Sequence, residues 1–188
     1  MTLRRCLPLL LLFAVGPAFA GNIIQTAEFP GQTPQALYDA YMGSKSHADM
    51  TGFPATYYRP STKSEVTAGQ EGDELHAFGV NGPDGKLRYL INGRILRLLP
   101  GHEVVMSWKA LTWNLPEDAP IPESVLILSF MKTTQGAEIR LVQVNVPDIT
   151  GAAAAGDSTE TDQVNTNWYF RYWEPMHKYF AAQAKPAS

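Results

Sequence analysis

The sequence predicts an α+β fold: a curved antiparallel sheet wrapped around one long C-terminal helix, with two short helices near the N-terminus. Three observations predict it. Between residues 53 and 146 apolar residues alternate in short runs broken by turn clusters, the pattern of strands with one buried face. Near the C-terminus Val164, Trp168, Tyr172, Met176 and Tyr179/Phe180 recur at helical spacing as one apolar stripe rich in rings. Ahead of the strands, two short stretches carry helix start and stop signals. A sheet with one apolar face must cover that face, and only the last helix is long and aromatic enough to do so.

Residues 1–20 read as a cleavable secretory leader: basic Arg4 and Arg5, an apolar run from Leu7 to Val15, and Ala18-Phe19-Ala20 as the cleavage pattern. The run is too short to cross roughly 30 Å of hydrocarbon, so no membrane span is expected. Cleavage after Ala20 would leave one domain over residues 21–183 and a frayed tail over 184–188, in a periplasmic or secreted location. Cys6 is the one cysteine and lies in the leader, so the domain has no disulfide framework and rests on an ordinary core. The formal net charge of −3 becomes −5 once Arg4 and Arg5 are removed. A mildly acidic exported domain argues against a nucleic-acid partner.

The elements follow in order. Ile23, Gln25, Ala27 and Phe29 share one face of a first strand over 22–29, ended by Pro30-Gly31. Thr33 is placed as an N-cap and Pro34 at the first helical position, where its missing N–H costs nothing. Leu37, Tyr38, Tyr41 and Met42 form the apolar face of this helix, and Gly43 stops it. Ser44 can cap a second short helix through Met50, with Gly52 as its C-terminal stop. Strands are expected at Ala55–Arg59, Ser64–Ala68 and Glu74–Val80, the last with Leu75 and Ala77 opposite Glu74, His76 and Phe78.

Beyond the turn cluster Asn81–Gly85, Lys86–Leu99 reads as one long strand bulged or bent at Asn92-Gly93. A hairpin there is disfavoured because apolar alternation resumes at once with Ile95. Glu103–Ala110 puts Val104, Met106 and Trp108 on one face. Leu111–Glu123 is a proline-rich loop whose Trp113 is expected to fold back over apolar surface. Ser124–Lys132 and Ala137–Val146 form a hairpin across Thr133–Gly136. A small-residue linker, Gly151–Asp157, leads to the last helix. Pro175 predicts a kink in it, because Pro cannot donate to the Arg171 carbonyl and its ring crowds that carbonyl.

This order resembles the START-like (SRPBCC) helix-grip superfamily. The local motifs are similar to those of the family named for the activator of the ninety-kilodalton heat-shock chaperone's ATPase. They are Leu37-Tyr38-Asp39-Ala40 with His47-Ala48-Asp49-Met50-Thr51-Gly52; Ile91-Asn92-Gly93-Arg94-Ile95-Leu96 leading to Leu99-Pro100-Gly101; Val105-Met106-Ser107-Trp108-Lys109 with Trp113; and Asn167-Trp168 through Tyr172-Trp173-Glu174-Pro175-Met176 to Tyr179-Phe180. The Ser124-Val125 strand and the Leu141-Val142-Gln143 strand ending at Val146-Pro147 complete the set. The resemblance implies a fold with an apolar cavity that relatives use for lipids, polyketides and other hydrophobic ligands. The family's eukaryotic co-chaperones carry a separate chaperone-binding domain that no stretch here matches, and that chaperone works in the cytosol. The family's name is therefore not carried over as a function.

The chemistry-bearing residues are sparse. His47, His76, His102 and His177 show no metal-ligand spacing, so no metal site is expected. No nucleophile elbow, GxGxxG or phosphate-binding loop occurs, which argues against triad hydrolysis and nucleotide cofactors; no cofactor and no catalytic residue is assigned. Glu74 and His76 share a strand face read as solvated. Arg140 and Arg171 are read as surface charges with packed stems.

The first expectation is a binding domain holding a hydrophobic small molecule or lipid between sheet and C-terminal helix, lined by Phe78, Trp108, Trp113, Trp168 and Tyr172. The alternatives are a cyclase- or dehydratase-type enzyme using the same cavity, which needs a buried titratable group inside it, and a co-chaperone-like protein-interaction module, which needs a large exposed patch.

Overall fold

The structure, a computed structural model, describes residues 21–82, 84–110, 123–146 and 168–184. The leader, Trp113 with its loop, the linker, Val164 and the tail from 185 lie outside these residues. The described elements are β1 (Gly21–Pro30), α1 (Pro34–Met42), α2 (Ser44–Thr51), β2 (Thr56–Arg59), β3 (Ser64–Val66), β4 (Glu74–Asn81), β5 (Leu87–Leu99), β6 (Glu103–Ala110), β7 (Ser124–Lys132), β8 (Gly136–Val146), a π-helical turn (Tyr169–Trp173) and α3 (Glu174–Gln183).

The strands form one antiparallel sheet in the order β1-β8-β7-β6-β5-β4-β2-β3, open at β1 and β3. Period-two alternation sends one residue set to a single buried side: Ile23, Ala27 and Phe29 of β1, Ile139 and Leu141 of β8, Leu126, Leu128 and Phe130 of β7, Val104, Met106 and Trp108 of β6. The helices cover that side. Thr33 caps α1 by accepting from the Ala36 N–H at 3.1 Å, and Tyr38 meets Phe130 edge-on at 5.6 Å. At the β1 edge, Phe29 stacks on His177 of α3 at 4.4 Å and meets Phe180 at 6.1 Å. This is the α+β helix-grip arrangement, with the aromatic C-terminal helix packed on the sheet.

Four local expectations are corrected. Ser44 does not cap α2. Gly43 holds the cap position, and the Ser44 hydroxyl donates to the Thr67 carbonyl. A side chain at this corner would crowd the Ser46 hydroxyl, because a Cβ there would stand 2.5 Å from Ser46 Oγ. The third strand is shorter than Ser64–Ala68 and ends at Val66. The long strand β5 is single, but its register shifts between Ile95 and Arg97, not at Asn92-Gly93. Gly93 serves a close approach instead: a Cβ would lie 2.6 Å from the Ser107 carbonyl oxygen. Finally, Phe78 does not sit with Glu74 and His76. Its φ of 57°, uncommon for a bulky residue, carries the ring to the buried side, and it is 2% exposed.

Ahead of Pro175, where a kink is expected, the structure has the π-helical turn. The Glu174 N–H reaches the Tyr169 carbonyl, five residues back, and Pro175 then falls in the first turn of α3, where no N–H is needed. The extra residue in the turn rotates the apolar face. Tyr172 and Trp173 are both buried, while Tyr169 and Phe170 are 52% and 60% exposed.

Candidate functional site

Where the two N-terminal helices meet the π turn, several elements contribute rings to one part of the core. Tyr41 comes from the last turn of α1, His47 from α2, Phe78 from β4, Trp108 from β6, and Trp168 and Tyr172 from the C-terminal segment. Trp168 lies 4.7 Å from Tyr172 and 5.3 Å from Trp108 between ring centroids. Phe78 meets Tyr172 edge-on at 5.4 Å. The structure thus brings Phe78, Trp108, Trp168 and Tyr172 into one contiguous aromatic group; Trp113 is outside the described residues. These rings stand in contact with one another, so a ligand among them must displace side chains.

Two sets of polar atoms lie within this group. In the first, the Trp168 indole N–H donates to Gln143 Oε1 at 2.8 Å, Gln143 Nε2 donates to Ser124 Oγ at 2.8 Å, and Ser124 Oγ donates to the Trp108 carbonyl at 3.1 Å. Each step has a partner, as burial demands. The second set is Tyr41, His47 and Tyr172. Their ring centroids form a near-equilateral triangle: 5.3 Å for Tyr41–His47, 5.5 Å for His47–Tyr172 and 5.6 Å for Tyr41–Tyr172. The Tyr41 hydroxyl, His47 Nε2 and the Tyr172 hydroxyl are all buried, and among the described residues none has a partner in strict hydrogen-bond geometry. The Tyr41 and Tyr172 hydroxyls act on each other's ionisation at hydrogen-bonding reach, although neither pairs in strict hydrogen-bond geometry. A buried polar atom left unpaired costs about 1–3 kcal/mol.

The chemistry of this triangle follows from one contact. His47 Nδ1 lies 3.0 Å from the Tyr41 backbone carbonyl. A carbonyl only accepts, so Nδ1 carries the proton and Nε2 of the neutral ring presents a bare lone pair. Burial lowers the His47 pKa to about 4, partly opposed by that backbone bond. Burial likewise raises the Tyr41 and Tyr172 phenols well above their usual value. All three groups are therefore uncharged at neutral pH. Among the described residues Arg171 brings a cation to this group: it is exposed and lies over the Phe78 ring, 5.4 Å from its centroid.

Sequence reasoning did not single out His47, Tyr41, Trp173 or Gln143 for this region. His47, Met50 and Thr51 are the buried residues of α2, an i, i+3, i+4 spacing that marks His47 as inward. The Trp173 placement depends on the π turn and has no periodic signal. On the opposite, solvent side of the sheet, His76 Nε2 lies 3.5 Å from Glu74 Oε2. They border an open depression of about 510 Å³ with Asn92, Arg94, Lys109 and Glu123. Among the described residues no three His, Cys, Asp or Glu side chains converge, and no helix is long and apolar enough to cross a membrane.

No protein-family model and no curated protein sequence matches the chain. Solved structures do match. An HSP90 activator from Plasmodium falciparum aligns over 88% of this chain and 97% of its own, with 15% identity and a TM-score of 0.56. A protein from Rhodobacter sphaeroides aligns over 89% and 97%, with 18% identity and a TM-score of 0.59. One from Chromobacterium violaceum aligns over 88% and 98%, with 18% identity and a TM-score of 0.54. The chain has the START-like helix-grip fold of these proteins, and at such identities the likeness concerns the fold alone.

Proposed function

We propose that this START-like chain binds a hydrophobic small molecule or lipid between its sheet and its helices, and performs no chemistry on it. The observation that carries the reading is the Tyr41–His47–Tyr172 triangle: three buried polar atoms without partners, set among the rings of Phe78, Trp108 and Trp168. A core that serves packing alone has no use for unpaired polar groups, whereas binding sites set a few polar groups into an apolar wall to orient a ligand.

The enzyme reading has one feature in its favour, a buried histidine, and that feature argues against it in detail. An imidazole with a pKa near 4 is a weak base at neutral pH, and phenols pushed upward by burial are weak acids. Acid–base catalysis works best with pKa values near the working pH. Among the described residues no carboxylate is paired with His47 to correct this.

Mass spectrometry under native conditions, on protein purified gently from its own cell envelope, tests the reading. The expected result is a mass above that of the chain, released as a small apolar compound by organic extraction. Only the bare mass, across several growth states, would count against it. The same preparation tests the proposed export: amino-terminal sequencing is expected to begin at Gly21, and an intact leader on cytosolic protein would refute that placement.

A further inference from the structure

We propose that the β1 edge of the sheet is an interaction surface whose partner is the β1 strand of a second copy of this chain, paired antiparallel about a two-fold axis. The proposal does not depend on the ligand reading above.

The two edges of the sheet differ. The β3 edge is three residues long, and Lys63 and Glu65 put charge on it, the usual protection against pairing with another chain. The β1 edge runs for ten residues, Gly21–Pro30. Glu28 is its one charged side chain, and its proline stands at the last position. Its one register irregularity lies at the start, between Gly21 and Ile23. From Ile23 to Phe29 the edge is a regular strand without such protection, and Ile24 is 63% exposed on it.

The register shows which backbone groups face the edge. The Gly31 N–H donates to the Gln135 carbonyl at 2.8 Å, and the same register continues unbroken from Pro30↔Gly136 to Ile23↔Gln143. Hydrogen-bonded pairs recur at every second residue of an antiparallel ladder. The N–H and C=O groups of Ile23, Gln25, Ala27 and Phe29 therefore turn to β8, and those of Ile24, Thr26 and Glu28 turn to the open edge. Pro30 falls in the second set, where its missing N–H costs no bond to β8. Among the described residues no backbone group bonds to Ile24, Thr26 or Glu28 from the open side.

Self-pairing fits these groups. Residues with outward N–H and C=O must face one another, so even-numbered residues pair with even-numbered ones. Setting Ile24 opposite Thr26 of the second copy, and Asn22 opposite Glu28, pairs the strand along nearly its whole length. It keeps the two Glu28 carboxylates at opposite ends and gives each an amide to bond. It also brings the two Ile24 side chains together diagonally across the axis. Each copy uses its one long open edge, so the contact is self-complementary and closes at a dimer.

The test follows the protein, purified as the cell delivers it, by sedimentation over a concentration series and by amide hydrogen exchange. The expected result is a reversible dimer with a dissociation constant below about 1 mM, and protection of the Ile24, Thr26 and Glu28 amides that rises with concentration. Thr26→Pro removes an N–H that faces away from β8. It is expected to keep the fold and weaken dimerisation about tenfold or more. Ile24→Asp sets an acid diagonally beside Glu28 of the second copy and is expected to weaken it similarly, whereas Ile24→Lys meets that carboxylate and retains association. Should Thr26→Pro not fold, the two substitutions at Ile24 carry the test. A chain that stays monomeric at about 1 mM would overturn the proposal. So would slow exchange of the Ile24, Thr26 and Glu28 amides in the monomer, which would mean that another part of the chain covers the edge. A dimer indifferent to Thr26→Pro and Ile24→Asp would place the contact elsewhere, and equal losses from Ile24→Asp and Ile24→Lys would refute this pairing.

Discussion

Two sets of buried polar atoms lie side by side in this core, joined by the 4.7 Å contact of Trp168 with Tyr172. The Trp168–Gln143–Ser124 chain is satisfied at each step and ends on a strand carbonyl. The Tyr41–His47–Tyr172 triangle is satisfied at none of its three outward atoms. Both are equally dry, so burial does not explain the difference. What differs is the scaffold. Gln143 and Ser124 stand on adjacent paired strands, β8 and β7, whose register fixes their separation. The triangle is drawn from α1, α2 and the π turn, where no strand register sets the spacing of its polar atoms. A satisfied network holds a fold together; an unsatisfied one of the same size costs stability, which folded proteins retain where activity depends on it.

The largest test of that contrast is at the residue through which the two sets touch. Trp168→Ala removes the donor of the closed chain and the ring that backs Tyr172, and is expected to cost about 3–5 kcal/mol of unfolding free energy. Denaturant titration measures it. A loss below about 1 kcal/mol would mean that the indole is not a packing residue at all, and the comparison between the two sets would lose its hinge.

Acid provides the next largest effect and acts on the triangle alone. Folded His47 resists protonation down to about pH 4, whereas the unfolded chain protonates it near 6.5. Between these values the unfolded state binds more protons, so stability is lost as pH falls through the window and this contribution levels off below it. The rings facing His47 are Tyr41, Phe78 and Tyr172, none of which ionises there. The loss amounts to about 3 kcal/mol. His177 is also lowered by partial burial, so the measurement is the difference between the protein and His47→Leu from pH 7 to pH 4. Parallel pH profiles for the two would show that His47 is not held neutral. Asp73, whose carboxyl is held low chiefly by its hydrogen bonds from Arg59, loses its contribution only as pH falls further.

The closed chain is tested by Gln143→Leu, which keeps the volume and removes both hydrogen-bonding ends. The buried Trp168 N–H then has no acceptor, and the expected cost is about 1–3 kcal/mol. An unchanged midpoint would place the Gln143 bonds among those that water replaces, and the two sets would no longer differ.

The fold was largely legible because its evidence is periodic. Alternation at Glu103–Ala110 and Ser124–Lys132 placed β6 and β7 on their observed bounds, and one aromatic stripe identified the covering helix. The site was legible only in part. Trp108, Trp168 and Tyr172 lie on regular faces and could be named; His47 could not, because a histidine in an eight-residue polar helix looks solvated until the partner elements are placed. Phe78 reaches the buried side through a left-handed φ, which strict alternation denies. Trp173 turns inward because the helix takes a π turn ahead of Pro175; the proline announced a disturbance, but its form depends on packing against β1 and β8. Periodicity reports single elements, and the triangle exists only where three of them meet.

The smallest effect is the sharpest, because its sign is at stake. Tyr172→Phe deletes one buried hydroxyl that has no partner and leaves the ring against Trp168, Phe78 and His47 in place. In the ligand-free protein this substitution is expected to raise stability by about 1 kcal/mol, because a desolvation cost disappears and no bond is lost. The same substitution at a satisfied tyrosine would lower it by a similar amount. Midpoints of urea unfolding with unchanged slope read the sign directly. A fall in the midpoint would mean that the hydroxyl already has a partner in the empty protein, the Tyr41 hydroxyl or an ordered water. The triangle would then resemble the Gln143 chain, with its polar atoms satisfied. A rise would show a core that carries an unpaired hydroxyl at a cost in stability.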